Sequence, residues 1–365
     1  MNPPLRLVFA GGGTGGHLYP GLAIADEIRR REPEAAILFA GTAGKIEARV
    51  VPERGYPFAP IWISGFRRHL SAETLMFPLK LAVALGQSFF LLTRYRPDAV
   101  VGTGGYVSGP VLAAAQMLGM PTLLQEQNSV PGVTTRLLAR HATEVHLAFD
   151  AARGFLQRTD NVFVSGNPTR ETIGAMTRRA GAALLGLDPA APTLLVFGGS
   201  QGAASINTVM ITIARRLTGV QILWQTGIED FPRVREGLGG EGEAVRISPY
   251  IDRMDAAYAA SDLAVCRSGA GTLFELARAG VPAILIPYPH AAADHQTRNA
   301  ETVAAGGGAV TIPDRETGAR LETTIRGLLA DAPRRDAMAR AVRRFGEQNA
   351  TRVIADAVLR VAQRG

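Results

Sequence analysis

Four times in this chain a short apolar run ends in a glycine-rich turn and is followed by a helix-forming stretch. Leu5-Arg-Leu-Val-Phe-Ala10 leads into Gly11-Gly-Gly-Thr-Gly-Gly16, and Ala99-Val-Val-Gly102 into Thr103-Gly-Gly-Tyr-Val-Ser-Gly109. Thr193-Leu-Leu-Val-Phe197 leads into Gly198-Gly-Ser-Gln-Gly202, and Asp262-Leu-Ala-Val-Cys266 into Ser268-Gly-Ala-Gly-Thr272. Apolar runs this short, bounded by turn residues and alternating with helical stretches, predict strands of parallel sheets covered by helices on both faces. Glycine lets a ligand or a second chain segment approach the backbone closely, and a helix starting just beyond offers unpaired N–H groups to an anion. The pattern occurs twice in each half of the chain. The expectation is therefore α/β architecture: two doubly wound Rossmann-like parallel-sheet domains facing across a cleft, with ligands at the C-terminal edges of the strands.

In chain order, strands are expected at 5–10, 36–40, 99–102, 121–125, 144–148 and 162–164, with helices at 21–31 and 110–118. The pattern restarts after Ser165-Gly-Asn-Pro-Thr-Arg170, which puts the domain boundary near 161–170. A helical stretch at 171–187 precedes strands at 193–197, 220–225, 244–247, 263–266 and 283–286. A helix from about Thr272 to Ala279 ends at Gly280-Val-Pro282, and 287–299 reads as a polar loop carrying Tyr288, His290, Asp294, His295 and Gln296. Residues 320–362 read as largely helical. The domains are expected at 1–165 and 166–345, with a helix at about 346–365 packing back on the first.

With 47% hydrophobic and 19% charged residues, the chain has a globular composition. The one cysteine, Cys266, excludes an internal disulfide framework and sits in a strand expected to be buried. No secretory signal is visible and no window of about 18 apolar residues occurs, so a membrane-spanning segment is not expected. Lys and Arg total 39 against 32 Asp and Glu, a net charge of +7 that attracts anions. No nucleic-acid motif accompanies it, so nucleic acid is not an expected partner. The stretch 65–92 mixes Arg67, Arg68, His69 and Lys80 with large apolar residues from Leu70 to Leu92. It reads either as a helix with its apolar face in the core or as a patch that docks on anionic lipid.

The first glycine turn differs from a dinucleotide fingerprint. Gly41-Thr-Ala stands after the second strand where a ribose-binding carboxylate would be needed, which weighs against NAD. His17 falls where the first helix begins and reads either as a hydrogen-bonded structural residue or as a catalytic group. Glu126-Gln-Asn128 stands at the functional end of a strand. With no Asp-x-Asp motif and no His/Cys cluster at ligand spacing, no metal and no cofactor are expected.

Taken in order, Gly11-Gly-Gly-Thr-Gly-Gly-His-Leu-Tyr-Pro20, Gly102-Thr-Gly-Gly-Tyr-Val-Ser-Gly-Pro110, Gln125-Glu-Gln-Asn128, Gly166-Asn-Pro168, Gly198-Gly-Ser-Gln-Gly202 and Cys266-Arg-Ser-Gly-Ala-Gly-Thr272 closely resemble the MurG family, nearly end to end. These are UDP-N-acetylglucosamine:undecaprenyl-pyrophosphoryl-N-acetylmuramoyl-pentapeptide transferases of peptidoglycan synthesis. The resemblance implies a GT-B fold and an inverting, metal-free transfer of GlcNAc from UDP-GlcNAc to the C4 hydroxyl of MurNAc in lipid I, giving lipid II. It implies peripheral attachment to the cytoplasmic face of the plasma membrane, by an anionic-lipid contact at about 65–92, and cell-wall synthesis proteins as possible partners.

Position by position, the resemblance implies that Ser200 meets a donor phosphate, Ile251 lies beside uracil and Arg170 lies near the nucleotide. Ala270, Gly271, Thr272, Leu273, Phe274 and Glu275 form the helix turn, with Glu275 on the ribose. Gln296 reads the GlcNAc hydroxyls, although the loop at 290–296 is one residue longer than in some relatives, which leaves His295 beside it as an alternative. Thr14, Gly15 and Gly16 approach the donor from the first domain, and Asn128 the sugar region. Gly104, Gly105 and Tyr106 fall on the acceptor side. His17 is the expected base, since an imidazole titrates near neutral pH, with Glu126 in reserve. Two other enzymes share this fold, a diacylglycerol glycosyltransferase and a hydrolysing UDP-GlcNAc epimerase. A non-catalytic UDP-sugar sensor is the reading from another class.

Overall fold

The computed structural model describes residues 4–65, 76–199, 202–239, 242, 244–346 and 349–363. Two compact units divide the chain: 1–169 together with 348–365, and 170–347. The first unit holds a seven-stranded sheet. Its strands are β1 (Arg6–Gly11), β2 (Ala36–Gly41), β3 (Phe58–Pro60), β4 (Ala99–Gly104), β5 (Thr122–Glu126), β6 (Glu144–Leu147) and β7 (Val162–Val164). All pairings are parallel, in the order β3-β2-β1-β4-β5-β6-β7. The side chains of β1 alternate between two cores. Val8 and Ala10 join Leu92, Val111 and Leu112 on one face, and Leu7 and Phe9 join Ile24, Ile28, Ile354 and Val358 on the other. That two-sided burial is why β1 is apolar at nearly every position. The last helix, Ala350–Ala362, belongs to the second of these cores, and its Arg360 bonds Glu144 at the start of β6 at 2.8 Å.

The second unit holds β8 (Thr193–Phe197), β9 (Gln221–Gln225), β10 (Val245–Ser248), β11 (Leu263–Cys266), β12 (Ala283–Leu285) and β13 (Ala309–Thr311). They form a second parallel sheet in the order β10-β9-β8-β11-β12-β13. Leu194, Val196, Trp224, Val265 and Ile284 lie in its core with Ile206, Met210, Leu321 and Ile325 from the covering helices. Cys266 is buried, and burial pushes its thiol pKa far above the ordinary value, so it stays a neutral core group.

Strand order reverses between β1 and β4 in the first sheet and between β8 and β11 in the second. Those are the strands that the four glycine turns follow. The turns therefore stand in pairs at the two topological switch points, where loops part to opposite faces and leave a crevice.

Three local expectations are corrected. The first helix begins at Gly15, not at Gly21, and carries Pro20 inside it. Proline removes only one intrahelical bond there, and its ring is buried. The stretch 171–187 is helical only over Arg178–Leu185, capped by the Thr177 hydroxyl. Residues ahead of it are pinned instead to the Ala270–Ala279 helix, where Arg278 Nε donates to the Ile173 carbonyl at 2.8 Å. The loop after β12 is shorter than the expected 287–299, because a helix runs over His295–Ala305 and puts His295 and Gln296 in its first turn.

Candidate functional site

In the first unit the site is built by the ends of β1, β4 and β5. The turn after β1 is held from below by Glu47, a fully buried carboxylate that accepts from the amides of Gly13 (2.9 Å) and Thr42 (3.0 Å). Thr14 is extended and exposed. The helix starting at Gly15 has no acidic residue in its own first turn and no side-chain cap at Thr14, so the carboxylate at its start is that of Glu47 beneath the turn. His17 sits in that first turn. Its carbonyl accepts from Thr103 Oγ1 at 2.8 Å, and its Nδ1 lies 3.1 Å from Gln127 Oε1. The structure thus draws Thr14, Gly15, Gly16 and His17 together with Thr103, Gly104 and Gly105 at one switch point. Tyr106 is exposed beside them.

Glu126 is given a different task from the one expected of a reserve base. It is buried, and its Oε1 accepts from Asn128 N (3.0 Å) and Nδ2 (3.3 Å). Its Oε2 accepts from Gly132 N (3.0 Å) and Thr135 Oγ1 (2.7 Å). A carboxylate has about four acceptor sites, and all are taken by the loop that follows β5. Glu126→Gln would turn a donor toward Gly132 N and the Thr135 hydroxyl. The expected result is a loss of about 2 kcal/mol of stability, read as a lowered denaturant midpoint.

In the second unit the Ala270–Ala279 helix begins after an extended Gly269 that carries no side-chain cap. Helix geometry leaves the amides of Ala270, Gly271 and Thr272 without intrahelical acceptors, and the partial positive charge collects there. Leu273 and Phe274 are buried and anchor the helix; Phe274 packs on Phe345 with ring centroids 4.8 Å apart. Glu275 is held at both oxygens. Arg170 donates to Oε1 from Nε (3.1 Å) and Nη2 (2.9 Å), and the Tyr258 hydroxyl donates to Oε2 at 3.1 Å. Burial alone would lower the Arg170 pKa, but Glu275 beside it more than offsets this and leaves it above the ordinary value. Burial first, and then the nearby Glu275, push the Tyr258 phenol well above its usual range, so it stays a donor.

Ile251 is buried, and its N–H donates to Gln225 Oε1 at 2.8 Å, which leaves its carbonyl rather than its amide for a ligand. Gln225 Nε2 donates to the Gly199 carbonyl at 2.8 Å. One buried carboxamide thereby ties the third glycine turn to Ile251. Gln296 Oε1 accepts from Tyr288 N at 3.0 Å, and its carbonyl accepts from Ser268 Oγ at 2.8 Å. Ser200 lies outside the described residues, as do Arg67, Arg68 and His69. Sequence reasoning missed Glu47, Gln225 and Tyr258, and gave no role to Gln127 although it stands within the Gln125–Asn128 run. Each lies away from the turns in sequence, and no motif spacing announces a buried side chain that reaches a turn from another strand or helix.

The helix Phe77–Tyr95 resolves part of the ambiguity at 65–92. Ala84, Ser88 and Leu92 face the core, while Leu79 and Phe90 are 58% and 71% exposed, with Met76 and Trp62 also exposed nearby. No described helix is long and apolar enough to cross a membrane.

Two parallel sheets with glycine turns paired at both strand-order reversals give two Rossmann-like units, and the family and structure matches make this a glycosyltransferase of the GT-B class. Residues 7–147 match the glycosyltransferase family 28 N-terminal domain and residues 193–357 the family 28 C-terminal domain. A UDP-N-acetylglucosamine--N-acetylmuramyl-(pentapeptide) pyrophosphoryl-undecaprenol N-acetylglucosamine transferase of Chlorobaculum tepidum is 46% identical over 98% of this chain and 100% of its own length. The transferase of the same name from Salinibacter ruber is 44% identical over 98% of this chain and 97% of its own. The crystal structure of Acinetobacter baumannii MurG superposes with a TM-score of 0.78 at 28% identity, over 98% of this chain and all of that one. The chain belongs to glycosyltransferase family 28, and within it to the MurG family.

Proposed function

We infer that this chain transfers GlcNAc from UDP-GlcNAc to the C4 hydroxyl of MurNAc in lipid I, with inversion, to give lipid II. The relatives' shared name supports the substrates. The observation that carries the reading for this chain is the pairing of its turns at two switch points, one offering a histidine and the other an uncapped helix start beside a positioned carboxylate. In this reading the second unit binds the donor. The amides of Ala270, Gly271 and Thr272, together with Ser200, take the diphosphate and stabilise the charge that develops as UDP departs. Glu275, pre-oriented by Arg170 and Tyr258, accepts from the ribose diol. The Ile251 carbonyl faces uracil, and Gln296 offers Nε2 to a sugar hydroxyl.

The first unit takes the acceptor at Gly104, Gly105 and Tyr106, with Thr14, Gly15, Gly16 and Asn128 toward the donor sugar. His17 removes the proton from the acceptor hydroxyl as it attacks the anomeric carbon. The C1–O bond to the diphosphate breaks, and UDP leaves with the electron pair. No metal is assigned a step.

The test is UDP release by purified protein given UDP-GlcNAc and a short-chain lipid I analogue. Release should require both substrates and persist in EDTA. Release with diacylglycerol in place of lipid I, or loss of turnover in EDTA, would overturn the reading.

Peripheral attachment at the cytoplasmic face of the membrane is part of the same proposal. Leu79 and Phe90 would enter the headgroup boundary while neighbouring cations meet anionic lipid. Co-sedimentation with liposomes should rise with anionic lipid and fall with added salt. Binding indifferent to both would remove this surface from the account.

A further inference from the structure

The Nδ1 of His17 faces a neutral carboxamide, that of Gln127, and the orientation of that carboxamide can be settled from the bonds around it. Gln127 is buried at the end of β5, and its Nε2 lies 2.5 Å from the Thr103 carbonyl oxygen and 2.5 Å from Gln125 Oε1. A backbone carbonyl can only accept. Rotating the Gln127 amide by half a turn would press its oxygen against that carbonyl, so the nitrogen must face Thr103 and the oxygen must face His17. The remaining chain agrees. Gln125 Oε1 accepts from Gln127, and Gln125 Nε2 donates to Asn167 Oδ1 at 3.0 Å. Asn167 Nδ2 is then left buried without an acceptor. Reversing the three amides together would only move the unpaired end of Asn167 from nitrogen to oxygen, and it would set oxygen against oxygen at Thr103. The carbonyl of a central strand imposes the direction on the whole row.

That direction decides the state of the imidazole. With an oxygen 3.1 Å from Nδ1, the neutral ring keeps its proton on Nδ1 and its lone pair on Nε2. The ring is also held in place. An added Cβ at Gly104, whose φ is +100°, would lie 2.5 Å from His17 Nδ1, so only glycine lets β4 approach the imidazole this closely. We propose that Gln127 is a positioning residue for the transfer reaction: its carboxamide, oriented by the Thr103 carbonyl, holds His17 as the Nδ1–H tautomer so that Nε2 is the atom that takes the acceptor's proton. The part concerning proton transfer rests on His17 being the base; the tautomer assignment does not. A carboxylate in this place would stabilise the imidazolium, whereas a carboxamide orients the ring without adding charge.

The tautomer is read directly by long-range 1H–15N correlation on the full-length protein labelled at histidine, at a pH where the ring is neutral. The His17 signals are assigned by their loss in His17→Ala. The expected spectrum shows a protonated Nδ1 and an unprotonated Nε2 in the unmodified protein. A protonated Nε2 overturns the proposal, and this measurement needs no variant to fold. In Gln127→Met, which keeps the length but removes both polar ends, the tautomer preference should be lost. Its kcat should fall roughly ten- to hundredfold with KM for UDP-GlcNAc little changed. An unchanged tautomer or an unchanged kcat in a folded Gln127→Met protein would also refute it. Should His17→Ala retain turnover while the unmodified spectrum shows Nδ1–H, the base assignment falls and the tautomer assignment stands.

Discussion

His17→Ala is expected to lower turnover about a hundredfold or more, on the usual scale for loss of a general base, while leaving the affinity for UDP-GlcNAc nearly unchanged. The separation follows from where the residue sits. His17 belongs to the first unit and is held there by Thr103, Gly104 and Gln127. The groups proposed to bind UDP are built by the second unit around Arg170, Ile251 and the Ala270–Ala279 helix. Removing an imidazole from one should not disturb the other. The checks are steady-state kinetics with a lipid I analogue and calorimetric titration with UDP. Near-normal turnover would move the base elsewhere. Glu126 would not inherit the role, because its acceptor sites are already occupied by Asn128, Gly132 and Thr135.

A large structural effect is expected at Gly105. Its φ is +82°, and a Cβ added there would lie 2.2 Å from the Gly12 carbonyl oxygen and 3.1 Å from its carbon. Both the left-handed backbone and the contact oppose a side chain, and the contact is with main chain, which cannot rotate away. Gly105→Ala should therefore cost about 3 kcal/mol or more. It should also part the turns after β1 and β4 and so lower turnover in whatever protein still folds. Gly13→Ala supplies the comparison. Its φ is +84°, but nothing lies within 4 Å of its added Cβ, so only the backbone term of roughly 1–2 kcal/mol should appear. Denaturant midpoints of the two variants separate strain from collision. Equal losses would mean that the two turns do not abut as described.

The comparison of sequence with structure divides along a physical line. Buried parallel strands write themselves into the chain as unbroken apolar runs, so β1, β4, β8 and β11 were visible with nearly correct ends. Glycine turns were visible because few other residues take those backbone angles or tolerate such approach. Boundaries failed where long-range contacts outweighed local preference. Helical character at 171–177 yielded to the bond between Arg278 and Ile173, and the polar run after β12 coiled early because Asp294, in a left-handed conformation, starts a helix at His295. The roles of Glu126 and Glu275 depended on their partners. A carboxylate looks the same in a sequence whether it is open to substrate or already filled.

Local composition therefore determined the four strand–glycine turn–helix units, two in each half, and, through the ordered motifs, the family, but not the short edge strands β3 and β13. Which turns stand side by side, what holds them, and which nitrogen of His17 carries the proton were decided only by the folded arrangement. Those properties depend on atoms brought together from distant parts of the chain: Thr103 beside Gln127, Arg170 and Tyr258 on Glu275, and Gln225 between Gly199 and Ile251. Hydrogen bonds act over about 3 Å, and no pattern along a single strand or helix reports a neighbour that arrives from another.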